Sequence, residues 1–220
     1  MTEPRCIEWV EFRLKPGVTE TQFLEASKAL RTGFLDRQPG FKHRTLIRVD
    51  SKGHYADLVH WSNAKAADAA MAASNSFPAC VAYFEMLEVL QAPTLGTAIA
   101  GHSAAQQSHA DDMSVAEIGG MEFAFFKPKP SVADHELSRA AQTMATGLYR
   151  GQPGFIDHFV VKSGAGVYAD IVLADSRNRA AELCASWGSD PYAEPCREYL
   201  GMIDPASMQI AFYETLKTLK

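Results

Sequence analysis

The two halves of this sequence are copies of one unit. The segment QPGF occurs at Gln38–Phe41 and again at Gln152–Phe155, and YAD occurs at Tyr55–Asp57 and again at Tyr168–Asp170. Sliding residues 7–47 along the chain by 114 positions gives 12 identities in 41, several times what unrelated stretches share. A repeat of this length carries a whole supersecondary unit. The sequence therefore predicts two similar units rather than one irregular domain.

Each copy carries the same order of strand and helix signals. Residues 7–14 alternate in polarity, as in a strand, and Thr19 with Gln22 forms a capping box that begins a helix ending near Arg37. The first copy continues with strands at 41–49, 55–61 and 95–101, a helix at 64–73 and a short extra helix from Pro78. The second copy repeats this with strands at 121–127, 155–162, 168–174 and 207–214, a helix at 177–187 and an extra helix near Pro191. The order β-α-β-β-α-β is the ferredoxin-like motif.

The ferredoxin-like motif determines the predicted domain organisation. One such unit covers only one face of its antiparallel sheet with helices, so the other face needs a second layer. We therefore predict an α+β fold in which the two units pack sheet to sheet. The first unit is placed at residues 1–101, a polar linker at 102–117 and the second unit at 118–220.

Composition and charge exclude several classes of protein. The net charge of -5 argues against a nucleic-acid-binding protein, and no apolar run reaches the roughly 20 residues that span a bilayer. The acidic N-terminal segment does not resemble a signal peptide. Four cysteines without a CxxC pair are typical of reduced, buried thiols. These features predict a cytoplasmic protein with no metal site, no cofactor and no nucleic-acid or membrane partner.

The faces of the third strand of each copy suggest where the chemistry lies. In the first copy Ala56, Leu58 and His60 share a small face that suits packing under helices. The opposite face carries Tyr55, Asp57 and Trp61, with Tyr168 and Asp170 in the second copy, and we expect it to line the space between the sheets. On the first strands the same reasoning adds Trp9 and Glu11, with Phe123 and Phe125 as their counterparts.

Two interpretations of the acids remain open. In the first, Asp57 is a general base with Glu11 or Asp170 as a further acid, because a buried carboxylate with a raised pKa suits proton transfer. The pocket walls would then be aromatic: Trp9, Tyr55, Trp61, Tyr168, Phe123 and Phe125. In the second, the acids bond to tyrosines or pair with an arginine and only fix the packing.

The segments KPGVTE, QPGF, YADLVHW and SFPAC resemble the antibiotic-biosynthesis-monooxygenase-like, dimeric α/β-barrel superfamily. The later stretch PYAEPCREYLGMIDPASMQIAFYE looks like the tail of the same unit. The resemblance implies an intramolecular version of the usual homodimer, with further homo-oligomers as an open question. Trp61 matches the aromatic residue that commonly ends the third strand. Many members carry a histidine on the second helix, which haem-degrading members use to bind iron, but Asp68–Ala73 here contains none.

Three alternatives for function remain open. The first is a cofactor-independent monooxygenase, or an isomerase or cyclase, acting on a small aromatic or polyketide-like substrate. The second is a non-catalytic or stress-associated protein that binds a small hydrophobic molecule, since nucleotide and nucleophile motifs such as GxGxxG and GxSxG do not occur. The third is a purely structural barrel whose core contains acids.

Overall fold

The computed structural model describes residues 5–103, 118–164, 166–188 and 193–216. In the first copy these residues form β1 (Cys6–Leu14), α1 (Glu20–Gly33), β2 (Phe41–Arg48), β3 (His54–Trp61), α2 (Ala64–Ser74), α3 (Pro78–Glu85), β4 (Leu87–Val89) and β5 (Thr94–Ser103). In the second copy they form β6 (Gly120–Phe126), α4 (Asp134–Tyr149), β7 (Phe155–Ser163), β8 (Tyr168–Ala174), α5 (Arg177–Ala185), α6 (Ala193–Met202) and β9 (Gln209–Leu216). The predicted β-α-β-β-α-β order is confirmed in both copies, each with its predicted extra helix, and the short β4 is an addition to the prediction.

Local signals in the sequence account for the helix boundaries. The predicted capping box is present at α1, where the Thr19 hydroxyl accepts from the Gln22 amide and the Gln22 side chain accepts from the Thr19 amide. The helix α3 begins at Pro78, whose missing amide hydrogen costs nothing in a first turn. Pro191, the corresponding prediction in the second copy, lies outside the described residues.

The chain divides into two compact units. One holds the described residues up to Thr97 together with Leu216, and the other holds Ala98–Thr215. Most of the predicted linker at 102–117 lies outside the described residues, but His102 and Ser103 still belong to β5. His102 is buried, and its ring centroid lies 5.9 Å from that of Phe155 in the same unit, so β5 extends two residues beyond position 101.

The first unit places β1 between β3 and the pair β4 and β5, with β2 on the far side of β3. Its core lies between these strands and the helices, and includes Phe12, Phe23, Leu30, Tyr55, Trp61, Ala67 and Tyr83. The second unit repeats the arrangement with β6 between β8 and β9, and β7 beyond β8. Its core includes Phe126, Leu137, Met144, Tyr149, Val172, Leu183 and Tyr199.

The orientation predicted for β3 is wrong. Tyr55, Asp57 and Trp61 face the helices of their own unit, since Asp57 bonds to Tyr83 of α3 and Tyr55 packs on Phe23 of α1. The alternating residues Ala56, Leu58 and His60 therefore lie on the other face of the sheet. Seven successive residues, from Tyr55 to Trp61, are buried, so hydrophobicity alone did not distinguish the two faces.

Candidate functional site

A cavity of about 250 Å³ lies in the first unit, between its sheet and its helices. Most of its wall is apolar and comes from β1, β3, α1 and the β4 segment: Val10, Phe12, Leu30, Phe34, Val59 and Leu87. The exposed side chains of Met71, Phe84 and Val89 also line it, which gives the cavity an apolar opening. For scale, a cavity of roughly 150 Å³ holds one benzene molecule. The space is therefore large enough for a molecule bigger than benzene.

One wall of the cavity contains a buried arginine whose donors are all engaged. Arg44 Nε and Nη2 donate to the two Asp57 carboxylate oxygens at 2.8 and 2.9 Å. Arg44 Nη2 also donates to the Tyr83 hydroxyl at 2.7 Å, while Nη1 donates to the Ser27 hydroxyl at 2.8 Å and to its carbonyl at 3.2 Å. A guanidinium has five N–H groups, so this set uses every one.

The charges in this cluster balance internally. Burial by itself would lower the pKa of Arg44, but Asp57 and Tyr83 together raise it, so the guanidinium stays charged. Burial and the nearby Asp57 raise the pKa of Tyr83 well above its usual range, and its neutral hydroxyl donates to Asp57 at 3.0 Å. The cluster is thus a closed structural network, and both carboxylate oxygens of Asp57 are used in bonds to Arg44 and Tyr83.

Glu8 is the acid that faces the cavity without being part of that network. It lies on β1 opposite Val59 and is half-buried. Its Oε2 accepts a hydrogen bond from Trp61 Nε1 at 3.0 Å, which fixes the carboxyl group against the wall. Burial raises the pKa of Glu8 above its usual value; the Trp61 bond opposes this effect and Asp57 adds to it. A carboxyl group with this environment suits proton transfer.

The structure separates the residues predicted as one site in the first copy. Asp57 and Trp61 line the cavity, whereas Tyr55 packs beside it against Phe12 and Phe23. Glu11 and Trp9 lie on the opposite face of β1, where Glu11 accepts from Trp9 Nε1 at 3.2 Å and its other oxygen is 3.0 Å from His54 Nε2. The sequence placed Glu11 and Asp57 in one space, and the structure places them on opposite faces of the sheet.

The second unit holds a changed copy of the cluster. Asp170 accepts from the Tyr199 hydroxyl at 2.7 Å and lies 3.0 Å from His158 Nε2, so His158 stands where the first unit has Arg44. Tyr168 bonds to Asp134 in the same unit. Phe123 and Phe125 lie on the other face of β6, and their ring centroids are 4.6 Å apart. Glu122, the counterpart of Glu8, is buried, and its pKa is raised well above the usual range by burial and by Asp170.

Sequence reasoning missed Glu8, Arg44 and Tyr83 as parts of the site. Two signals were present: Glu8 is identical in the second copy, and a Cys-x-x-Tyr pattern repeats at Cys80–Tyr83 and Cys196–Tyr199. Alternation along β2 did not predict the side of the sheet on which Arg44 lies, because the pairing of β2 with β3 shifts between Phe41 and His43. This irregularity moves Arg44 to the helix side, where simple alternation from Phe41 does not place it.

The residues in the cavity wall do not fit a haem group held through histidine. The stretch Asp68–Ala73 lies within α2 and contains no histidine, and none of the residues that line this cavity is a histidine. Across the described ranges, no three His, Cys, Asp or Glu side chains are grouped so as to hold a metal ion. In the same ranges, none of the helices is long and apolar enough to cross a bilayer.

Comparison with known proteins identifies the fold. No family model and no curated protein matches the chain. A candidate monooxygenase of Fusobacterium nucleatum subsp. nucleatum matches with a TM-score of 0.67 at 9% identity, over 99% of this chain and 94% of that one. A Listeria monocytogenes ferredoxin-fold protein related to antibiotic biosynthesis monooxygenases matches with a TM-score of 0.53 at 10% identity, over 98% and 96%. The chain has the dimeric α/β-barrel fold.

An anthrone oxidase-like protein shares this barrel fold, with a TM-score of 0.59 at 11% identity over 99% of this chain and 95% of that one. The predicted α+β class and the resemblance in fold are therefore confirmed. At these identities the likeness concerns the barrel fold alone, and the chemistry has to be argued from the cavity.

Proposed function

We propose that the chain is a cofactor-independent oxygenase that oxidises a small aromatic or polyketide-like molecule in the cavity of its first unit. The observation that supports this most is the position of Glu8, a carboxyl group with a raised pKa that lies outside the Arg44 network in a mostly apolar cavity with an apolar opening. Apolar walls with few polar groups are typical of ligand sites. The cavity thus replaces the space between the sheets as the proposed site, and Glu8 replaces Asp57 as the proposed base.

The proposed reaction needs one base and molecular oxygen. Glu8 takes a proton from an activated carbon of the bound substrate, and the resulting carbanion transfers electrons to O₂ to form a peroxide anion. Protonated Glu8 returns its proton to that anion, and the hydroperoxide loses water to leave a ketone. For anthrone, one molecule and one O₂ give one anthraquinone and one water.

Oxygen uptake with anthrone tests the proposal. We expect the full chain to consume O₂ and produce anthraquinone in equal amounts. Glu8→Gln, which keeps an oxygen to accept from Trp61, should slow turnover at least about a hundredfold, the usual loss of a general base. Glu88→Gln is the matched control, because Glu88 is an exposed acid on β4 between Leu87 and Val89. Full activity in Glu8→Gln would rule out the assigned base.

A non-catalytic binding protein is the second candidate. The Arg44 network favours this function, because Asp57 bonds to Arg44. Among the residues that line the cavity, Glu8 is then the one carboxyl group left for catalysis. The same samples discriminate the two functions. If anthrone raises the melting temperature but no quinone forms, the binding function is supported and the oxygenase proposal is wrong.

A further inference from the structure

The cavity offers no cation to an anionic ligand. Among the residues that line it, Arg44 is the one basic side chain, and its five N–H groups are taken by Asp57, Tyr83 and Ser27. A ligand carboxylate that entered this space would find no free charged donor. Burying a charge without a partner is costly, so the affinity of the cavity for an anionic ligand is lowered.

The acids in the wall add to this effect. Glu8 faces the cavity directly, and Asp57 lines it while neutralising Arg44. The remaining polar wall residues, Ser74 and Asn75 at the end of α2, are uncharged, and the Ser74 hydroxyl donates to the Met71 carbonyl at 2.8 Å. A second negative charge close to Glu8 is unfavourable, because Coulomb interactions are strong in a poorly hydrated space.

We propose that Glu8, together with the fully engaged Arg44, makes the cavity select uncharged aromatic ligands over their carboxylate analogues. This inference rests on the proposed function, since it concerns the same cavity, but it requires binding and no turnover. It assigns the substrate to neutral ring systems bearing hydroxyl, keto or amide groups, and it excludes aromatic acids and phosphorylated or thioester-linked carriers whose anionic part would enter the cavity. Glu8 is thereby a specificity-determining residue as well as the proposed base.

The test compares 2-naphthamide with 2-naphthoate, which have nearly the same shape and differ in charge at pH 8. Isothermal titration of the full chain should give affinity for the amide at least about tenfold higher than for the carboxylate. In Glu8→Gln this ratio should fall at least about threefold, because the nearest wall charge is gone. Glu88→Gln, the exposed acid on β4, should keep the wild-type ratio.

Each outcome separates the inference from the proposed function. Equal or tighter binding of 2-naphthoate would overturn the charge selectivity, and an unchanged ratio in Glu8→Gln would overturn the role of Glu8 in it. If the ratio behaves as expected while anthrone is not oxidised, the selectivity is supported and the oxygenase is rejected. If neither naphthalene compound binds, the charge selectivity is wrong, and O₂ uptake with anthrone decides the proposed function on its own.

Discussion

Replacing Asp57 with asparagine should destabilise the protein far more than the same change at Asp170. The contacts of 2.8 and 2.9 Å place the charges of Arg44 and Asp57 roughly 4 Å apart, which corresponds to about 4 kcal/mol at an effective dielectric constant near 20. Arg44 does not lose its proton in a protein, so Asp57→Asn leaves a buried, unpaired cation at a cost of about 3–5 kcal/mol. Asp170 accepts from Tyr199 and lies beside His158 rather than an arginine, so Asp170→Asn loses hydrogen bonds without leaving a permanent buried cation and should cost only about 1–2 kcal/mol.

Urea unfolding followed by circular dichroism measures both variants. With a slope near 2 kcal/mol/M, Asp57→Asn should lower the midpoint by about 2 M and Asp170→Asn by less than about 1 M. If Asp57→Asn does not fold, the double variant Arg44→Met/Asp57→Leu should recover the folded state, because it removes both charges. Equal losses for the two aspartates, or a double variant as unstable as Asp57→Asn, would refute the reasoning.

Three further predictions concern single positions. Because the pKa of Glu122 is raised, its contribution to stability is present below the unfolded pKa near 4.5 and is lost as pH rises through the folded pKa. Glu122→Gln should therefore show less loss of urea midpoint between pH 5 and pH 8 than the wild type, and parallel curves would contradict this. Turnover by the proposed oxygenase should rise with pH as Glu8 ionises, and Trp61→Phe should move that rise to higher pH, because the Trp61 bond lowers the pKa of Glu8. An unmoved pH profile would show that Glu8 is not the group that titrates. Ser27→Ala should cost about 1–2 kcal/mol in the same urea assay, since it removes one of the acceptors of Arg44, and a loss within error would mean that water replaces the hydroxyl.

Periodicity and turn chemistry were sufficient for the secondary structure and for the repeat. The strand over Tyr168–Ala174 and the helix start at Pro78 follow from alternation and from proline at a first turn, and the structure has both at the predicted positions. These are local properties, set by a few neighbouring residues. The duplication allowed the two-unit α+β fold to be predicted, because a single ferredoxin-like sheet leaves one face uncovered.

The candidate site depended on contacts that alternation does not reveal. Alternation shows that Tyr55, Asp57 and Trp61 share a face, but β3 is buried on both faces, so the sequence carries no signal for which face the helices cover. The pairing shift in β2 moves Arg44 across the sheet, and Tyr83 reaches Asp57 from a helix 26 residues away. Such partners are chosen by packing between distant segments. The sequence by itself therefore determined the repeat, the order of elements and the presence of buried acids. Only the tertiary structure decided that Asp57 is neutralised by Arg44 and that Glu8 faces the cavity.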